Sequence, residues 1–287
     1  MTDAELATAI VPYQRWYSRA AELGRDYAAG QPFPVVVMDD FLNLAAASAA
    51  CSAFPPLSND RWISYIRVNE RKFGMRDREI LPAPICAILD ELNSDAFVEL
   101  VSAITGIPGL RADHSLEGAG LHQCDRGGFL NVHTDFNVHP HRSNWRRRLN
   151  LLIYLNPVWD DAWGGQLELW DERMEHCVRR ITPIFNRAVL FRTDEATFHG
   201  HPDPLECPDE VTRKAIVLYY YSEEAVAPRI RSTNHQARPS DSLTRRALIR
   251  LDKLALNIYD RTKRVVGFDD YWASWILRTL SRRRPGA

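Results

Sequence analysis

From Gly118 to Ser222 the chain breaks into short runs of strand character, at 119–124, 129–134, 147–156, 165–170, 176–181, 187–193 and 212–222. Gly, Pro, Asn and Asp separate them. Several strands at this spacing predict an all-β barrel or sandwich. The flanks read as helix. Residues 2–28 form a helix opened by Thr2 or Asp3, with Tyr13, Trp16, Tyr17, Ala20 and Leu23 on one face. A short strand, Pro34–Met38, leads to a helix at 43–53 that Pro55-Pro56 ends. Residues 57–80 show no clear period and read as a loop with short strand pieces, a candidate lid. A helix over 83–105 carries Ile85, Ile88, Leu89, Leu92, Phe97, Leu100, Val101 and Ile104 on its core face and stops at Gly106–Gly109. Residues 240–260 return to helix, and a last amphipathic piece spans 268–281 with Trp272, Trp275 and Ile276. That piece ends in Arg282–Arg284 and reads either as a packed helix or oligomer contact, or as an interfacial segment. The expectation is one α+β domain over 1–287: helical support at 1–116, a β core at 117–222 and a helical extension at 223–287.

Composition narrows the class. At 287 residues, 45% hydrophobic and 25% charged, the chain is of globular type and long enough for a sizeable core without disulfides. Its five cysteines, Cys51, Cys86, Cys124, Cys177 and Cys207, are odd in number, widely spaced and without a CxxC pair. Free thiols in a reducing compartment are expected. A net charge of −1 gives no nucleic-acid signature. The N-terminus lacks the pattern of a secretory signal, and no apolar run approaches the ~20 residues of a membrane span. The expected location is the cytoplasm.

Within the β region lies Phe129-Leu-Asn-Val-His-Thr-Asp-Phe136. On a strand, residues two apart share a face, so His133 and Asp135 can converge on one metal ion. A second histidine would complete two imidazoles and a carboxylate, a set that leaves coordination positions open and suits non-haem Fe(II). His199, after the apolar run 188–191, is the candidate. Upstream of it, Asn150, Leu152 and Tyr154 share one face of an alternating strand. Tyr154 reads as an inward phenol able to donate to an anion, or as a core tyrosine. Gly164-Gly165 makes a tight turn into a strand. Arg213 opens the last strand of the region. Burying it requires an anion, either a ligand carboxylate or a protein group such as Glu210.

Taken together, His133-x-Asp135, the strand ending Tyr154-Leu-Asn156, Gly164-Gly-x-Leu167, His199 and the following Arg213 resemble the Fe(II)/2-oxoglutarate-dependent dioxygenases, in their prolyl-4-hydroxylase-like branch. The resemblance covers about residues 117–222. It implies a double-stranded β-helix, or jelly-roll, core flanked by N- and C-terminal helices. It also implies Fe(II) held by His133, Asp135 and His199, with 2-oxoglutarate and O2 as co-substrates and ascorbate as a helpful reductant. Arg213 would pair with the distal carboxylate of 2-oxoglutarate, Tyr154 would hydrogen-bond to it, and Leu152 and Leu167 would line its slot. Gln123 would stand in for a tyrosine that many prolyl hydroxylases place near the co-substrate. Two departures are visible: Ala215 stands where many members have Ser two residues after the Arg, and the loop from His199 to Arg213 is long. Asp135 in the ligand set argues for hydroxylation or another oxidation rather than halogenation, because related halogenases carry a small residue there.

For the substrate, the polar segment after the His-x-Asp strand offers Asn137, His139 and Trp145, and His201 lies beside His199. These read as a rim for a hydroxyl-rich or anionic molecule, or as a solvated loop. The favoured reading is an oxygenase of a small polar substrate such as a saccharide, an amino acid or a natural-product intermediate. The alternatives are a peptidyl prolyl hydroxylase and, from another class, a non-catalytic metal-binding jelly roll acting as a sensor.

Overall fold

The computed structural model describes residues 9–253. The predicted helix start at Thr2 or Asp3, residues 254–260 and the 268–281 piece lie outside the described residues. The N-terminal helix is two helices, α1 (Tyr13–Ser18) and α2 (Ala20–Ala29), with Pro12 at the head of α1. A proline lacks the N–H that a helix interior needs, so the helix begins after it. The helix at 44–52, α3 (Leu44–Ser52), is capped by the Asn43 side chain on the Ala45 N–H. The long helix expected over 83–105 is also divided, into α4 (Ala83–Leu92) and α5 (Asp95–Thr105). The break has a local cause: Ser94 Oγ accepts from the Phe97 N–H and so starts a new helix. A C-terminal helix, α6, begins at residue 243.

One antiparallel sheet of thirteen strands curls around the interior. In chain order these are β1 (Val35–Met38), β2 (Ile63–Ile66), β3 (Glu70–Met75), β4 (Leu110–Ala112), β5 (Gly120–Cys124), β6 (Phe129–Thr134), β7 (Trp145–Tyr154), β8 (Leu167–Trp170), β9 (Cys177–Ile181), β10 (Ala188–Arg192), β11 (Phe198–His201), β12 (Arg213–Glu223) and β13 (Asn234–His235). Their order across the sheet is β1-β10-β7-β12-β5-β3-β6-β11-β8-β9, with β2 on β3, β4 on β12 and β13 on β6. The jelly-roll expectation holds, with a wider strand supply than 117–222. In particular, 57–80 is no lid: it forms the β2–β3 hairpin, and β3 is inserted between β5 and β6. The segment has no clean alternation because polar side chains are buried in it alongside apolar ones. Ile63 and Met75 are buried, while Glu70 and Lys72 are a polar pair.

Period two sorts the central strands. Leu149, Leu151 and Ile153 of β7 and Ile216, Leu218 and Tyr220 of β12 are all buried on the helix side. Tyr220 donates to the Leu92 carbonyl at the end of α4 and packs on Phe97 of α5, which fixes which side that is. The alternate residues, Asn150, Leu152 and Tyr154 with Arg213, Ala215, Val217 and Tyr219, face the interior of the curl. The apolar helix faces thus cover one side of the sheet and leave the concave side to polar groups. All five cysteines are free thiols. No described helix is long and apolar enough to cross a membrane.

Candidate active site

Two neighbouring strands, with the residue that follows one of them, bring two imidazoles and a carboxylate together. β6 and β11 pair so that His133 lies opposite His199, and cross-strand partners share a face. Their rings are 4.6 Å apart. Each ring is oriented by its own backbone: His133 Nδ1 is 2.9 Å from the Asn131 carbonyl and His199 Nδ1 is 3.0 Å from the Thr197 carbonyl. Both contacts are to the residue two positions earlier, so both rings present Nε2 inward. Asp135 follows the end of β6 and meets them, Oδ1 at 3.6 Å from His133 Nε2 and Oδ2 at 3.4 Å from His199 Nε2. The donor atoms of the three residues all lie within 4.8 Å of one another. A nitrogen–nitrogen–oxygen set on one side, with Nδ1 of each ring tied back, fits an Fe(II) ion with open positions.

The charge state of these groups suits a cation. Burial alone would raise the Asp135 carboxyl, but Arg147, followed by His199 and His133, holds it well below the usual carboxylate range. Burial lowers His199 to about 4, against the pull of Asp135, so its imidazole is neutral and free to ligate at neutral pH.

At the other end of the same face sits Arg213. Its Nε donates to the Gly165 carbonyl at 2.8 Å and an Nη donates to the Tyr154 hydroxyl at 3.1 Å. Gly165 has φ +74°, and a Cβ there would lie 2.6 Å from Leu205 and 3.2 Å from the Arg213 side chain. Only glycine lets the guanidinium pass, which gives the Gly-Gly turn its reason. Arg213 is buried, and among the described residues it has no carboxylate partner; the expected alternative partner, Glu210, makes no ion pair with it. A buried guanidinium without an anion is costly, so the geometry leaves it directed to an incoming one. Burial raises the Tyr154 phenol against the pull of Arg213, which keeps it protonated and a donor. Leu152 shares the inner face of β7 with Tyr154, and Leu167 shares the inner face of β8 with Leu169, the partner of His199.

Five sequence-predicted residues fall elsewhere or play other parts. Gln123 pairs with Lys214, one position from the Arg213–Cys124 pair, so its side chain lies on the opposite face of the sheet from Arg213 and Tyr154. Its amide donates to Thr212 Oγ1 at 2.6 Å. It is not placed for the co-substrate; the inward neighbours on β5 are His122 and Cys124. Asn137 spends its whole amide on the backbone of a later segment, donating to the Arg229 carbonyl and accepting from the Arg231 N–H. His139 is 2% exposed, pairs with Asp113 at 3.2 Å and packs edge-on against Trp145 and Tyr221. Trp145 is half-buried in that ring cluster. Asn137, His139 and Trp145 are therefore scaffold of the rim rather than free contacts. His201 is buried on β11, with Nε2 4.0 Å from Cys124 Sγ and Nδ1 without a hydrogen-bond partner among the described residues.

Other groups on the concave side were not singled out from the sequence. Lys72 of β3 pairs with Glu70 at 3.4 Å. His235 on β13 lies opposite His133, its ring 5.3 Å away and buried, and among the described residues neither of its nitrogens has a hydrogen-bond partner. His122 rests its Nε2 against the Gly118 carbonyl at 3.2 Å. Burial first, then Lys72, pulls His122 down to about 3. The folded protein therefore keeps this imidazole neutral, whereas the unfolded chain protonates it near its ordinary 6.5. Stability is expected to fall as pH drops from 6.5 toward 3. Urea midpoints at pH 7.5 and pH 5 check this: the midpoint should be lower at pH 5, and His122→Phe should reduce the difference. An equal or higher midpoint at pH 5 in the parent would contradict the assignment.

The chain is similar to several known proteins. A sequence model of the 2OG-Fe(II) oxygenase superfamily matches residues 119–221. The mouse prolyl 3-hydroxylase OGFOD1 is 29% identical over 86 residues, which is 29% of this chain and 15% of that protein. This chain thus aligns with only a small part of that relative. A Trichoplax adhaerens prolyl hydroxylase, solved with a hypoxia-inducible-factor peptide, superposes with TM-score 0.52 at 18% identity, covering 77% of this chain and 94% of that one. A Pseudomonas putida prolyl-4-hydroxylase gives TM-score 0.51 at 16% identity, over 71% of this chain and all of its own. A Phytophthora capsici prolyl 4-hydroxylase gives 0.51 at 19%, over 92% and 82%. At these identities the structural likeness establishes the fold.

Proposed function

We infer, from the match of residues 119–221 to the 2OG-Fe(II) oxygenase superfamily, that the protein is a 2-oxoglutarate-dependent dioxygenase that hydroxylates a substrate C–H bond. The superfamily brings Fe(II), 2-oxoglutarate and O2 as its cofactor set, and the His133–Asp135–His199 cluster suits the metal. The observation that carries the reading is that this cluster and a buried, carboxylate-free Arg213 open on one concave face. When bound, the metal and 2-oxoglutarate supply the oxidant, with succinate and CO2 as co-products.

The residues divide the work. His133 and His199 give ring nitrogens whose orientation the backbone has fixed, and Asp135 gives an ionised oxygen. Arg213 takes the distal carboxylate of 2-oxoglutarate through the part of its fork that Gly165 and Tyr154 leave, and Tyr154 adds its own proton to that contact. Leu152 and Leu167 form the apolar walls that fix the chain of the acid and exclude water. Asp135 stands where a halide site would need a small residue, which supports hydroxylation or another oxidation over halogenation.

On the substrate, we favour a prolyl group in a peptide or protein. The relatives named above are prolyl hydroxylases, and Asn137 and His139, two groups expected to bind a small polar molecule, are committed to the scaffold. A second reading keeps the small polar substrate. It is supported by the polar residues Lys72, His122, His201 and His235 on the concave side, which suit hydroxyl or amide groups. The sensor reading leaves Arg213 and Tyr154 without a purpose.

Succinate release from 2-oxoglutarate, with Fe(II) and ascorbate, tests the class. Turnover is expected above the metal-free background and is expected to rise with a proline-containing peptide series. A rise with free amino acids or saccharides and none with peptides selects the second reading. No metal-dependent succinate under any of these conditions would sink the enzyme reading.

A further inference from the structure

The carboxylate of Asp135 is held from behind by two residues of β7. Asn150 Nδ2 donates to Asp135 Oδ2 at 2.9 Å, and an Nη of Arg147 reaches the same oxygen at 3.1 Å. Arg147 also grips Asn150: its Nε and Nη2 donate to Asn150 Oδ1 at 2.9 and 2.6 Å. The three side chains close a ring of hydrogen bonds. Two residues three apart on a strand would normally face opposite ways. Here the pairing of β7 with β12 slips between Tyr220 and Tyr221, so that Leu149 lies opposite Tyr220 but Arg147 lies opposite Tyr221. The extra residue, Arg148, turns Arg147 onto the face of Asn150. The guanidinium is 1% exposed and sits on the rings of Tyr219 and Phe136. A cation buried this deeply needs an anion, and among the described residues Asp135 is the one it has.

We propose that Arg147 and Asn150 act together as positioning residues that clamp Oδ2 of Asp135 and thereby present Oδ1 as a single-oxygen metal ligand. The clamp spends the lone pairs of one oxygen on two donors. The other oxygen faces the His133 imidazole and remains for the ion. The two histidines are oriented by backbone carbonyls; the carboxylate is oriented by side chains, delivered by a bulge. The inference rests on the metal reading of His133, Asp135 and His199.

The test is Co(II) affinity of the metal-free full-length chain, measured by competition with a chromophoric chelator, with circular dichroism as the fold control. Asn150→Leu removes the donor to Oδ2 and the acceptor for Arg147 at similar size. Its Co(II) affinity is expected to fall about 10–100-fold, the usual cost of losing a group that orients a ligand. In an Asp135→Ala background the same change should cost less than about threefold, since there is then no carboxylate to orient. Should Asn150→Leu fail to fold, Asn150→Ser, smaller than the side chain it replaces, takes its place in both backgrounds. An affinity within about threefold of the parent in a folded variant overturns the clamp. So does an equal loss with and without Asp135, which would mark a general structural role. Failure of the metal reading looks different: Asp135→Ala and His133→Ala would then bind Co(II) as the parent does.

Discussion

Alanine at His133 or His199 is expected to reduce 2-oxoglutarate turnover to background. In the proposed site each ring is one of three ligands, and the described residues hold no other group of three metal-ligating side chains. Loss of a group that merely orients a ligand costs about 10–100-fold in affinity or activity, so loss of the ligand itself should exceed that range. Asp135→Ala should be equally inactive but differ in stability. Asp135 is the anion for the buried Arg147, and breaking a buried pair from one side costs about 3–5 kcal/mol because the remaining charge is stranded. Among the described residues, no cation is paired with either histidine. Thermal melts therefore separate the variants: Asp135→Ala should melt well below His133→Ala and His199→Ala, all three measured without metal. Turnover above about a tenth of the parent in either histidine variant would remove that residue from the ligand set. Equal melting of all three would mean that Arg147 finds another anion.

How much of this was legible in the sequence depends on how local each signal is. His133 and Asp135 two apart, Tyr154 on the face of Leu152, and the Gly-Gly turn are all consequences of period two or of backbone freedom, which a sequence displays directly. His199 and Arg213 came from their order relative to those features. What stayed hidden is set by non-local pairing. The β3 strand is flanked by β5 and β6, which follow it by some fifty residues, and its polar Glu70 and Lys72 look like loop residues until their partners are known. Asn150 was visible as a face-mate of Tyr154, yet its role depends on the Arg148 bulge, and nothing in the residue string announces a register slip. Gln123 went wrong for the same reason in reverse: a one-residue offset in β5 reverses the face, so a co-substrate contact became a bond to Thr212. Asn137 and His139 illustrate a different gap. Polar residues after a catalytic strand look like a binding rim, and only the fold reveals that later chain and Asp113 have already claimed them.

Arg213→Ala is expected to raise the KM for 2-oxoglutarate by at least about thirtyfold while leaving metal affinity unchanged. Removing one partner of a buried, hydrogen-bonded charge pair costs about 2–5 kcal/mol, and each 1.4 kcal/mol is a tenfold change in affinity. The side chain is buried and held by the Gly165 carbonyl and the Tyr154 hydroxyl, so it meets the incoming acid already aimed and loses little entropy on binding. Arg213→Lys should recover only part of the loss. An ammonium keeps the charge but cannot donate to Gly165, Tyr154 and a carboxylate in one plane. Tyr154→Phe should cost less, about 1–1.5 kcal/mol or roughly tenfold, since it removes one hydrogen bond and leaves the charge. The order Ala, then Lys, then Phe in KM, with Co(II) affinity constant, is the signature of a carboxylate site separate from the metal ligands. An unchanged KM for 2-oxoglutarate in Arg213→Ala would mean that the acid binds elsewhere, and that the guanidinium is buried for a partner of another kind.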